Sequence, residues 1–331
     1  MPVLRNAIDM RHLTVAVLAL CIALAGHSKT QDDREIYLAD PTVCPADGIY
    51  YMSGTRPGQP AGFTVLESRD LVHWKYHEPD SMALRKGAGV FGKTGFWAPQ
   101  YFRDGDRHIL AYTADEQTAF ACSGTVTGPY TGCSGSPIDS SAKNIDPFIF
   151  RDDDGRYYLY HVRFGNGNFI WVGELDIDSG HLVPGTLKKC LECTEDWEHT
   201  PAYRSDPIME GPSVIKIDGI YYLFYSANHY MSPDYAVGYA WAESPCGPWH
   251  KNPDNPVIHR SIVGENGSGH GDLFKGPDGE YWYVYHVHNS DTRVHPRKTR
   301  MVPLSADKKN GIISFRADTA RITIPVQQRQ E

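Results

Sequence analysis

Three carboxylates in this chain stand just ahead of prolines. They are Asp40 in Leu38-Ala39-Asp40-Pro41, Asp146 in Asn144-Ile145-Asp146-Pro147, and Glu210 in Met209-Glu210-Gly211-Pro212. A protonated carboxyl can hand a proton to a leaving oxygen, and an ionised one can take a proton from water. A third carboxylate nearby raises the pKa of the first and orients it. That set matches the demand of glycosidic-bond cleavage, which uses a pair of acids flanking the scissile bond. Asp before Pro is ordinary turn chemistry when it occurs alone. The three acids therefore acquire meaning only if the fold brings them together.

A repeat supplies the reason to expect that. Asp47-Gly48, Asp104-Gly105, Asp154-Gly155, Asp218-Gly219 and Asp278-Gly279 are each followed by an aromatic and β-branched run such as Ile220-Tyr221-Tyr222-Leu223. Asp-Gly signals a tight type I′ hairpin, and the runs suit buried strands. The five glycines are spaced 57, 50, 64 and 60 residues apart, the period of a propeller blade. The sequence thus predicts an all-β, five-bladed β-propeller. The first strand of each blade lines the axis, so Asp40, Gln100, Asp146, Glu210 and His270 are expected at one mouth of the funnel. Trp74, Tyr130 and Trp249 close outer strands and read as core packing.

Composition narrows the partners. The 331 residues carry a formal net charge of −8, with 12% aromatics and 20 tyrosines. No basic stripe is present, which argues against nucleic acid, and no nucleotide is expected. The expected partner is a carbohydrate, bound by a monomer or small homo-oligomer. Residues 1–27 read as a signal peptide: Arg5 and Arg11 precede the apolar run Leu13 to Ala25, with Ala23-Leu24-Ala25 as a cleavage site. Residues 28–35 read as a flexible leader and 36–331 as one catalytic domain. Export to the periplasm or medium is expected. Cys21 raises a surface-lipoprotein reading, but Leu20 stands where a small residue is wanted. Six cysteines follow the signal. Cys122 and Cys133 flank a hairpin and could pair, whereas Cys190-Leu191-Glu192-Cys193 lacks the second ligand pair of a zinc site and reads as a local disulfide or free thiols.

Taken as an ordered set, Ala39-Asp40-Pro41, Phe96-Trp97-Ala98-Pro99, Ile145-Asp146-Pro147-Phe148 and Glu210-Gly211-Pro212 resemble glycoside hydrolase family 43. The resemblance runs from about Ile36 to Pro303. It implies an exported, inverting enzyme with Asp40 as general base, Glu210 as general acid and Asp146 as the residue that tunes and orients Glu210. Inversion leaves room for a water, so acid and base are expected about 6.5–9.5 Å apart. The resemblance also implies that His270 lies at the axis, in association with a structural calcium ion that the chemistry does not require. Phe96 and Trp97 would shape a sugar subsite, and Arg297 would reach the pocket; Gln100, Asn228 and His229 are further candidates.

The runs Gly267-Ser268-Gly269-His270, Tyr285-His286-Val287-His288-Asn289 and His295-Pro296-Arg297-Lys298 are similar to a branch of that family rich in α-L-arabinofuranosidases. Removal of terminal α-L-arabinofuranosyl groups from plant-type glycans is therefore the leading expectation. The alternatives are a β-xylosidase, a galactofuranosidase or an endo-arabinanase and, from a different class, a sugar-binding propeller without catalysis. One departure stands out: Gly271 occupies the second position of that branch's Gly-His-His motif.

Overall fold

The computed structural model describes residues 34–58, 61–77, 82–87, 89–133 and 137–328. The signal peptide, Cys21 and most of the leader lie outside them. Five sheets of four to six strands follow one another in the chain, and Gly62–Thr64 pairs with Met82–Arg85 in a further two-stranded sheet. The innermost strands of the five are Ala39–Ala46, Trp97–Asp104, Asn144–Arg151, Met209–Ile217 and Gly269–Lys275. Each pairs with the next strand in sequence: Ile49–Thr55, Arg107–Ala114, Tyr157–Phe164, Ile220–Ala227 and Tyr281–Val287. These are blades one to five of a β-propeller. Among the described residues, α-helix is confined to Arg260–Val263, and no helix is long and apolar enough to cross a membrane.

The hairpins divide by turn chemistry. Asp47-Gly48 and Asp218-Gly219 have positive φ at both positions, with Ala46 opposite Ile49 and Ile217 opposite Ile220, as a type I′ turn requires. Blade two differs: Asp104 pairs with Arg107, so the turn is Gly105-Asp106, with Gly105 as its positive-φ residue. In blades three and five the Asp-Gly pair sits inside a longer loop, and of the two residues the glycine has positive φ.

Five apolar clusters hold the blades to one another, one at each interface. Phe63, Phe96 and Tyr112 pack between blades one and two; Ile109, Ile149 and Leu159 between two and three; Tyr160, Met209 and Tyr225 between three and four. Phe224, Tyr239 and Phe315 join blades four and five, and Met52, Trp74 and Val284 join five to one. Trp74 and Tyr130 are fully buried, as their outer-strand positions suggest. The ring closes by strand pairing: Val326–Gln327 runs parallel to His73–Tyr76 of blade one and antiparallel to Arg34–Glu35. Arg34 and Glu35, which the sequence placed in the leader, are thus part of this sheet. Cys122 and Cys133 form a disulfide, while Cys190 and Cys193 are free thiols.

Candidate active site

All five innermost strands carry a register shift near their start, between Ala39 and Thr42, Trp97 and Gln100, Ile145 and Phe148, Glu210 and Ser213, and Gly269 and Gly271. At each bulge one residue has positive φ: Asp40, Ala98, Asp146, Gly211 and His270. Such backbone costs a non-glycine residue on the order of 1 kcal/mol or more and recurs at functional sites. The equivalence corrects two sequence expectations. Glu210 is not the counterpart of Asp40 and Asp146; it is one residue earlier, opposite Ser226 as Ala39 is opposite Thr55. Its place two residues before Pro212 follows from this. The counterpart in blade two is Ala98, so Gln100 lies two residues down its strand, away from the pocket. There its amide clasps Ile149, donating to the carbonyl at 3.4 Å and accepting from the N–H at 3.1 Å.

Each bulge N–H is held by a side chain of the preceding blade. Ala98 N donates to Thr55 Oγ1 (2.9 Å), Asp146 N to Thr113 Oγ1 (2.9 Å), His270 N to Ser226 Oγ (2.8 Å) and Asp40 N to His286 Nδ1 (3.2 Å). In blade three the corresponding residue is Val162, opposite Ile145, which has nothing to accept with. There the Asp146 carboxylate takes the Gly211 N–H at 3.2 Å. Asp146 is thereby tied to the peptide unit beside Glu210.

Asp40, Asp146 and Glu210 line one pocket of about 700 Å³, together with Trp97, His229, Tyr230 and Arg297. All three acids are buried, and their environments separate them. Burial disfavours ionised Asp40, but the charge of Arg297, the neighbouring imidazoles of His270 and His286 and the Thr55 hydroxyl outweigh it and hold Asp40 well below the usual carboxylate range. Arg297 Nη1 donates to Asp40 Oδ1 at 3.1 Å and Thr55 Oγ1 to Oδ2 at 2.6 Å. Burial pushes Glu210 up to about 7; Tyr235 opposes this by donating a hydrogen bond to it, and the charge of Asp40 adds to it. Asp146 is raised well above its ordinary value by burial, then by Glu210 and Asp40. Below neutral pH the pocket thus holds one carboxylate, Asp40, beside two acids whose surroundings favour the protonated form.

The other expected residues fall in different places. Trp97 is 37% exposed at the pocket wall, and Arg297 crosses the Tyr230 ring at 4.7 Å. His229 lines the pocket, stacked between Tyr203 and Tyr230. Phe96 does not reach it: fully buried, it stacks on Tyr112 in the core, because it faces the opposite side from Trp97. Asn228 is also no pocket residue. Its amide binds Trp197 O, Asp234 O and Thr200 N and ties down neighbouring loops. His270 lies at the axis with Nδ1 3.4 Å from Asp40 and 3.9 Å from Asp146. Among the described residues no three His, Cys, Asp or Glu side chains are grouped to hold a metal. The axial space below the pocket is about 20 Å³, roughly one water, while calcium takes about six to eight oxygen ligands. This donor set does not fit a calcium held directly by side chains.

Thr55, Tyr235 and His286 were missed as site residues in the sequence. Thr55 and His286 lie in the last two residues of second strands, where a hydroxyl or imidazole after an apolar run is the available signal. Tyr235 lies in the loop before strand Ala236–Ala242 and gives none.

Comparison with known proteins agrees with this geometry. The sequence model of Glycosyl hydrolases family 43 matches residues 35–311. The chain belongs to that family. A crystal structure named endo-1,4-beta-xylanase from Bacteroides thetaiotaomicron VPI-5482 shares 35% identity and superposes with a TM-score of 0.80, covering 90% of this chain and 99% of that one. A thermostable family 43 glycoside hydrolase is 31% identical with a TM-score of 0.75, covering 89% and 95%. Beta-D-galactofuranosidase xynD of Aspergillus niger is 35% identical over 68% of this chain and 65% of its own length. The chain spans between about half and two thirds of the length of such curated family 43 relatives.

Proposed function

We propose that this chain is an exported, inverting glycosidase that removes terminal α-L-arabinofuranosyl groups from plant-type polysaccharides or oligosaccharides. The observation that carries the reading is the meeting of three buried acids with opposite ionisation tendencies in one pocket. Asp40, kept ionised by Arg297 and Thr55, takes a proton from water. The water oxygen bonds to the anomeric carbon as the glycosidic C–O bond breaks, and Glu210 gives its proton to the departing oxygen. One water is consumed, and the two acids end with their protonation exchanged. Asp146 accepts the Gly211 N–H and so keeps Glu210 in place, while burial and the charge of Asp40 favour the protonated form of Glu210. No step in this reading passes through a cation.

At the roughly 30 Å³ that a water occupies in the liquid, the about ten non-hydrogen atoms of a pentose fill less than half of the pocket's volume of about 700 Å³. Room remains for part of the aglycone. A galactofuranosyl group is the second reading, favoured by the Aspergillus niger relative that bears that name; it shares the five-membered ring.

Rates on aryl α-L-arabinofuranoside, β-D-galactofuranoside and β-D-xyloside separate the cases. The arabinofuranoside is expected to give the highest kcat/KM. Preference for either other sugar would overturn the glycone, and absence of turnover on all three and on arabinan and xylan would overturn the activity.

A further inference from the structure

Tyr235 has no part in the roles above, yet its position is closely specified. Its side chain is fully buried. Its hydroxyl donates to Glu210 Oε1 at 2.7 Å. Its ring lies almost parallel to His286, with centroids 5.6 Å apart and an interplanar angle of 19°, and His286 accepts the Asp40 N–H. The ring also presses against Gly269, the strand partner of His286, where a Cβ would stand 2.4 Å from it. Stacking and the absence of a side chain at 269 therefore fix where the phenol oxygen lies.

We propose that Tyr235 is a positioning residue for the general acid, which decides which oxygen of Glu210 carries the proton. The inference rests on Glu210 being that acid. A protonated carboxyl has one carbonyl-type oxygen and one O–H. A phenol O–H aimed at Oε1 requires an acceptor there, so Oε1 serves as the carbonyl and the transferable proton sits on Oε2. Without the phenol both oxygens are available, and part of the acid carries its proton on the wrong one. The hydrogen bond also stabilises the ionised form, so its loss raises the acid's pKa.

The test uses Tyr235→Phe, which keeps the ring and its stacking, and two substrates of the same glycone. A disaccharide or methyl glycoside needs protonation of its leaving oxygen; a dinitrophenyl glycoside leaves without it. Tyr235→Phe is expected to lose about tenfold in kcat on the first, the order of one lost hydrogen bond, and little on the second. The alkaline limb of its pH profile should move to higher pH. Equal losses on both substrates with an unmoved limb would reveal a merely structural tyrosine and overturn the proposal, as would parent-like kinetics on both.

Glu210→Gln run alongside separates this from the reading it rests on. It should abolish turnover of the poor leaving group and spare much of the dinitrophenyl rate. If it does not, the assignment of the acid falls and the role of Tyr235 with it. If it does, and Tyr235→Phe still fails the comparison, only the tyrosine's role falls.

Discussion

Asp40 and Glu210 are both buried carboxyls, and the groups beside them decide which one keeps its proton. Asp40 faces a guanidinium, two imidazoles and a hydroxyl donor; Glu210 faces a phenol and the negative charge of Asp40. The base is active when ionised, so its contribution is lost only as pH falls through its lowered pKa. The acid is active when protonated, so its contribution is lost as pH rises through about 7. The profile of kcat/KM against pH should be level from below the ordinary aspartate value of about 3.9 to near neutrality, then decline. An alkaline limb already complete by about pH 5, where an ordinary glutamate has ionised, would contradict the assignment. Asp40, Asp146, Glu210 and Arg297 were legible as residues because the acids recur ahead of prolines in three copies of the repeat and the arginine stands in a late His-Pro-Arg run. Tyr235 was not, because a tyrosine among 20 others gains its role only from where a loop sets it.

The bulge at the start of each innermost strand places the acids, and it explains what the sequence reading misjudged. One extra residue reverses the alternation of a strand. Gln100, the polar residue of Ala98-Pro99-Gln100, was taken to stand with Asp40, but Ala98 is the residue before the proline and holds that position. The same alternation sends Phe96 into the core and Trp97 to the pocket. At the bulge of blade five, a Cβ on Gly271 would stand 1.6 Å from the Val284 carbonyl oxygen. No second histidine fits beside His270 with the backbone so placed, which accounts for the departure noted in the sequence. Gly271→Ala must push the innermost strand away from its neighbour. It should cost about 3 kcal/mol of stability, at the upper end of overpacking effects, and reduce activity by displacing His270. Chemical denaturation beside the parent measures this, and an unchanged midpoint would show that the strands separate freely.

The whole molecule is a ring that gathers the pocket's acids from separate blades: Asp40 from blade one, Asp146 from blade three and Glu210 from blade four. The period of about 50 to 60 residues made this architecture legible before any geometry was known. The closure was less so: Val326–Gln327 and Arg34–Glu35 are short, polar segments, and pairing across the ring leaves no periodic mark. The ring holds Asp40 by Arg297 from blade five and Glu210 by the Asp146 and Gly211 bond between blades three and four. The proposed single displacement by water uses Asp40 as base and Glu210 as acid and forms no bond between sugar and protein. Proton NMR of the first sugar released from an aryl α-L-arabinofuranoside tests that claim most directly. The account predicts that the β-anomer appears first and then mutarotates; initial release of the α-anomer would contradict it.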